Sequence, residues 1–247
     1  MHVELIGLTA HVGEGLGNPE RLIEFAGRLC YRSPSKGREA GGRFIQKRVQ
    51  QGHESIIEHA SASFLVEGIS RTCSHQLVRH RLASVSQESQ RYVDMGGLAA
   101  GDWVIPPDVD EDDGTLEMFR QAVQIAQSYY GRLMDKGVLK EDARFLLPNA
   151  APTRLVFTAN FRELLHVFRV RISPHAQWEI REVARVMLDL VTPYAPNVFG
   201  ALRDQLQEKY PAFWGAWVIG PEADRGDPHT LITEDTTPIP LAQEDTT

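Results

Sequence analysis

Three cationic or protonatable side chains follow one another at Arg79-His80-Arg81, and after seven further residues come Ser89 and then Arg91-Tyr92. Contiguous side chains cannot share one face of an element, so this triplet must meet several partners at once. Guanidinium forks match phosphate oxygens bidentately. Ser84, Ser86, Gln87, Ser89 and Gln90 add neutral donors and acceptors of the kind needed to read a heterocycle edge. Arg71 and His75 belong to the same stretch, in which Glu88 is the sole acid. A solvated basic turn is the alternative for such a charge run. Ser89 invites a nucleophile reading, but no base stands beside it in sequence and an unactivated serine attacks poorly, which favours ligand binding.

A second cluster tilts the balance. Glu141, Arg144, Arg154, Arg162, His166, Arg169, Arg171 and His175 fall around an expected strand, helix and turn. Asn160, Arg162 and His166 are expected along one end of a helix capped by Asn160. Arg171 is expected just before a helix opened by Ser173-Pro174, close to an N-terminus that favours anions. His175 by itself also suits an ordinary hydrogen-bonded helix residue. Two such clusters in a nearly neutral body point to a polyanionic small ligand. Other chemistries leave no trace: there is no G-x-G-x-x-G after a strand, no Walker loop and no G-x-S-x-G elbow. His53 and His59 in HESIIEH stand six apart, about 600° of helical rotation, so they do not share a face as metal ligands would, and no metal is expected.

The elements that position these residues belong to an ordinary globular chain of 247 residues, 42% apolar and 24% charged. Cys30 and Cys73 are too few for a disulfide framework, and Cys73 reads as core filler. No run of about 18 apolar residues encodes a membrane span, and MHVELIGLTA is not a secretory signal, so a cytoplasmic setting is expected. Residues 221–247 hold seven acids against Arg225, which leaves −1 of the −7 total for residues 1–220. The expected organisation is one domain over 1–220 and an acidic, poorly ordered tail over 221–247.

The pattern predicts strands at 3–8, 60–67 and 154–159. Helices are expected from Pro19 to about Tyr31, over 43–51, from Ser70 to about Arg81, from Gly114 to about Lys136, over 140–147, after Asn160, and from Ser173-Pro174 to about Leu190. Leu22, Phe25, Ala26 and Leu29 are expected to face inward on the first helix. Cys73, Leu77 and Val78 are expected to do so on the third. Met118, Ala122, Ile125, Tyr129 and Leu133 are assigned to the long helix. LASVSQESQRY reads as a loop. More helix than strand, with strands scattered, favours an α+β fold over a doubly wound one.

Arg79-His80-Arg81 with Ser89 resembles the signature of the flavin-dependent thymidylate synthases. The resemblance extends to Gly52 through His59, to Ser84 through Tyr92 and to RISPHAQWE from Arg171 to Glu179. It covers about residues 1–215 and leaves the tail unmatched.

The resemblance implies a single α+β domain with helices around a small antiparallel sheet. It implies methylation of dUMP to dTMP with methylenetetrahydrofolate as carbon donor, FAD as hydride source and NADPH as its reductant. It also implies a homotetramer whose sites are shared between subunits, without nucleic acid or membrane partners. On this resemblance His53, Ser55, Arg79, His80, Arg81, Gln87, Asn160, Arg162, His166 and His175 are flavin-side residues, with His53 a candidate for positioning folate. Gln76, Arg79, Gln87, Glu88, Ser89, Gln90, Arg91, Arg144 and Arg171 are nucleotide ligands. Arg171 is the catalytic residue, an electrostatic activator of the uracil, because arginine does not accept protons at neutral pH. Two departures stand out: Gln87 replaces the Glu of some members, and His166 stands where others have Asn. Competing readings are a flavin-dependent nucleotide oxidoreductase with another acceptor and a nucleic-acid-binding module; the near-neutral body and acidic tail argue against the latter.

Overall fold

The computed structural model describes residues 1–12, 18–34, 37–99, 101–109 and 114–215. The acidic 221–247 segment lies outside the described residues. The chain opens with β1 (His2–Leu8). Asn18 accepts from the Glu20 N–H at 2.8 Å to cap α1 (Pro19–Cys30), with Pro19 at the first position. α2 (Arg38–Gln50) starts five residues earlier than its periodicity suggests. Gly52, at φ +76, then turns the chain into a 3-10 helix, Glu54–His59. β2 (Ser61–Ser70) is followed by α3 (Arg71–Leu77) and β3 (Ala83–Gln87). α4 (Thr115–Asp135) and the short α5 (Lys140–Ala143) precede a 3-10 turn at Arg144–Leu146. β4 (Pro152–Asn160), α6 (Phe161–Arg171), α7 (Trp178–Val191) and α8 (Pro196–Lys209) complete the chain, with a last 3-10 turn at Pro211–Phe213. None of the described helices is long and apolar enough to cross a membrane.

The four strands form one antiparallel sheet in the order β1-β2-β4-β3. Ala62, Phe64 and Val66 of β2 alternate inward, as do Leu155, Phe157 and Ala159 of β4, giving the period-2 burial of a half-covered sheet. The chain folds as two compact units, Met1–Val3 with Leu65–Phe157, and Glu4–Phe64 with the chain from Thr158 on. In the first, Tyr130 packs with Met95 and Ala143, and Trp103 with Val123 and Ala151. In the second, Phe199 meets Phe161 and Phe168 edge to face, at centroid distances of 4.9 and 5.8 Å. A Cβ on Gly27 would stand 2.8 Å from the Phe44 ring, so glycine sets how closely α1 and α2 approach.

Several expectations are corrected. The stretch read as a loop contains β3, an edge strand that needs only half a face covered: Ala83, Val85 and Gln87 are half-buried while Ser84 and Ser86 are exposed. α3 ends at Leu77, four residues short of Arg81, and Val78 is exposed. α1 buries Ile23 and Gly27 and leaves Phe25 and Leu29 exposed. α4 carries two apolar stripes and buries Leu116, Val123 and Tyr130, so Met118, Ile125 and Tyr129 face outward. The helix expected from Ser173-Pro174 begins at Trp178, where Gln177 caps it by accepting from the N–H groups of Glu179 and Ile180.

Candidate active site

In the first unit Ser70 caps α3 by accepting from the Cys73 N–H at 3.0 Å. The helix closes on the turn bonds Arg79 N–H to Gln76 O and His80 N–H to Leu77 O. Across that turn the contiguous triplet splits: Arg79 and Arg81 are exposed while His80 is 7% exposed. No carboxylate among the described residues pairs with Arg79 or Arg81. β3 then delivers Gln87, whose Nε2 donates to Ser74 Oγ (2.9 Å) and Thr153 Oγ1 (3.1 Å). Glu88 is tied twice to Arg154: its N–H donates to the Arg154 carbonyl at 2.9 Å and its carboxylate accepts from Nε at 3.0 Å.

Beyond β3 the chain turns tightly. The Ser89 carbonyl accepts from the N–H groups of Tyr92 and Val93, and Ser89 Oγ accepts from the Arg91 N–H at 3.3 Å. The hydroxyl thus helps to organise a turn. Gln90 is buried. Arg91 Nε donates to Glu141 Oε2 at 2.8 Å, and this bond holds the guanidinium even more firmly protonated. Arg144 Nε donates to the Glu141 carbonyl at 3.1 Å. Glu141 therefore holds Arg144, three residues on, and Arg91, fifty residues earlier in the chain. Burial lowers the proton affinity of Arg71, the Arg144 charge lowers it further, and Glu88 opposes both.

In the second unit His53 and Ser55 are exposed at the start of the 3-10 helix, which Ile56 and Ile57 anchor by burial. The Phe161 N–H donates to Ala60 O at 2.9 Å, and Asn160 Oδ1 caps α6 by accepting from the Glu163 N–H at 2.9 Å. Arg162 and His166 lie exposed on one stripe of α6, with Arg169 one turn on. Two acids without an assigned role meet this stripe. Arg162 donates to Glu58 and stands 3.7 Å from Glu54, and Arg169 places both terminal nitrogens on Glu54 Oε1 at 3.1 and 3.0 Å. The Glu58 bond raises the Arg162 proton affinity. Both acids stand in HESIIEH beside the histidines, and their spacing of four is the sequence signal for them.

Arg171 is half-buried as the last residue of α6, and not at a helix N-terminus as expected; a cation there complements the negative end of the helix. His175 is exposed in the turn before α7. The eight-residue second cluster divides between the units, with Glu141, Arg144 and Arg154 in the first and the others in the second.

An α+β fold presenting arginine-rich surfaces, with its conspicuous serine spent on a turn, is that of a protein that binds polyanionic ligands and works by positioning and charge. The model of the thymidylate synthase complementing protein family matches residues 11–197. The flavin-dependent thymidylate synthase of Geobacter sulfurreducens is 46% identical over 189 residues, which are 74% of this chain and 81% of that relative. That of Clostridium tetani is 38% identical over 223 residues, covering 81% and 88%. A UMP/dUMP methylase from Streptomyces cacaoi, solved with 5-Br dUMP, superposes with a TM-score of 0.68 at 25% identity, covering 82% of this chain and 94% of that one. A flavin dependent thymidylate synthase from Helicobacter pylori, solved with FAD and dUMP, gives 0.66 at 21% identity, covering 81% and 99%, and speaks to the fold. The chain belongs to the flavin-dependent thymidylate synthase family.

Proposed function

We propose that this chain methylates dUMP to dTMP, taking a methylene from methylenetetrahydrofolate and using FAD reduced by NADPH. The observation that carries the reading is the exposed pair Arg79 and Arg81 flanking buried His80, with no carboxylate among the described residues on either guanidinium. Two cations left open fit a pyrophosphate, and Arg79, His80 and Arg81 would hold that part of FAD. The family resemblance assigns Ser55, Asn160, Arg162 and His166, all of the second unit, to the flavin as well. Arg162 joins them through the network that Glu54 and Glu58 already hold in place. Bound FAD supplies hydride chemistry that no side chain can.

The chain's own residues orient and charge-stabilise. Ser89, Gln90 and Arg91 present a turn that Glu141 fixes from α5, and with Gln76 and Arg144 it holds the nucleotide. Arg171 stabilises negative charge that develops on the uracil ring. His53, exposed beside the 3-10 helix, positions the folate side. The family resemblance supports a homotetramer with shared sites, a catalytic domain over residues 1–220 and a cytoplasmic setting. The test is product formation from dUMP, methylenetetrahydrofolate and NADPH, with and without added FAD. FAD-dependent dTMP is expected. Flavin-loaded protein without product would leave a flavoprotein of another acceptor, and failure to bind flavin would overturn the reading.

A further inference from the structure

Arg181 stands in the first turn of α7 and has no role in the reading above. It is 9% exposed, yet no carboxylate among the described residues pairs with it. The neighbouring acid, Glu182, is taken by Arg185, whose Nε donates to Glu182 Oε2 at 2.8 Å. The Arg181 guanidinium is engaged in another way. Its carbon lies 4.3 Å from the centroid of the Phe213 ring, and its Nη1 donates to the Ala176 carbonyl at 3.3 Å. Phe213 is buried, and beside it Trp214 Nε1 donates to Asp189 Oδ1 at 3.3 Å. That carboxylate is fixed in turn by Arg185 at 2.8 Å and by Arg203 of α8 at 2.6 Å. The ring under Arg181 is therefore anchored to both helices. Ala176 belongs to the turn between α6 and α7, directly after His175 and five residues after Arg171. The turn has few ties of its own. The Ile172 N–H donates to Phe168 O at 2.9 Å, the Ala176 N–H donates to Ser173 O at 3.1 Å, and Gln177 caps α7. A buried guanidinium is unfavourable unless its face and its donors find partners. Here the acceptor is the carbonyl of the residue next to His175.

We infer that Arg181 is a positioning residue: seated on Phe213, it fixes the turn over 172–177 so that His175 is presented to the flavin. This rests on the proposed function and on the assignment of His175 to the flavin side. It also gives the Pro211–Phe213 turn a part in the reaction, as the support on which the guanidinium rests.

The full chain is compared with Arg181→Met and Arg181→Lys. Methionine keeps an apolar stem on Phe213 and removes the charge and the donor. Because a buried charge without a carboxylate adds little stability, the urea midpoint of Arg181→Met should hold or rise. Hydrogen exchange of the amides over 172–177 should nevertheless quicken by about tenfold, and the FAD dissociation constant should rise by about five- to tenfold. At saturating FAD, kcat should fall by about ten- to a hundredfold while the KM for dUMP stays within about twofold. Arg181→Lys keeps a charge over the ring and a donor, and should return each value to within about threefold of the wild type. Unchanged exchange over 172–177 overturns the inference, and so does faster exchange with wild-type FAD binding and kcat. Lysine as poor as methionine, with both urea midpoints lowered, marks a role in folding alone and overturns it too. If Arg181→Met does not fold, Phe213→Leu decides by removing the ring: wild-type exchange and wild-type FAD binding then overturn the inference. Failure of the proposed function looks different, because the wild type then yields no dTMP or binds no FAD while exchange of the turn still ranks the variants.

Discussion

Arg171 closes α6, and its charge is the one the proposed chemistry leans on most. Arg171→Ala should lower kcat by about a hundred- to a thousandfold, the size of losing one preorganised donor to a developing anion. FAD affinity should hold, because the flavin contacts are assigned to other residues; undiminished turnover would remove Arg171 from the mechanism. The departure at Gln87 suits its neighbours. Its amide donates to the hydroxyl oxygens of Ser74 and Thr153; Ser74 already donates its own proton to the Arg71 carbonyl at 3.0 Å, so a carboxylate in place of Gln87 could accept from Ser74 only by taking that proton away. At this scale the sequence revealed residue types and not their pairing. Arg79, Arg81, Ser89 and Arg171 were legible because clustered arginines and a distinctive spacing are local facts. That Arg162 and Arg169 lean on Glu54, more than a hundred positions away, follows only once the 3-10 helix meets α6. Arg181 gave no such local signal, because its seat between Phe213 and the Ala176 carbonyl is a product of folding.

Among the elements, α8 begins without a side-chain cap of its own and borrows one. Glu20 of α1 accepts from the Asn197 N–H through Oε1 and from Asn197 Nδ2 through Oε2, both at 2.7 Å. Glu20→Ala strands a half-buried N–H and should cost about 1–2 kcal/mol, read as a lower urea midpoint. Burial raises the Glu20 pKa above its ordinary 4.5, outweighing the lowering by the Asn197 bonds. The folded chain therefore binds this proton more tightly than the unfolded one, and the favourable contribution is complete below 4.5 and lost as pH rises through the raised value. The urea midpoint of wild type minus that of Glu20→Gln should accordingly fall as pH rises above 4.5, and a rise would contradict the burial argument. α8 itself was invisible in the periodicity, whereas Asn18, Ser70 and Asn160 announced their helices because a cap is a short-range signal. β3 was hidden for the opposite reason, since an edge strand can be as polar as a loop.

On the scale of the whole molecule, the apolar stripe that α4 turns outward asks for a partner. Met118 is 71% exposed, Ile125 59% and Tyr129 52%, three large side chains in register along one helix. Covering each contributes about 1.5–3 kcal/mol, enough in several copies to hold subunits together. The proposed homotetramer would offer that stripe a covering surface. Light scattering of the wild type should give four times the 27.7 kDa chain mass. Ile125→Glu, which places a charge in the middle of the stripe without touching the buried Leu116, Val123 and Tyr130, should shift the mass towards smaller species. Thermal unfolding of the wild type should depend on protein concentration, and that dependence should weaken in the variant. If the sites are shared between subunits as proposed, dTMP formation should fall along with the mass. A variant that dissociates yet retains full activity would separate the two claims, leaving α4 as the interface and placing the complete site within one chain.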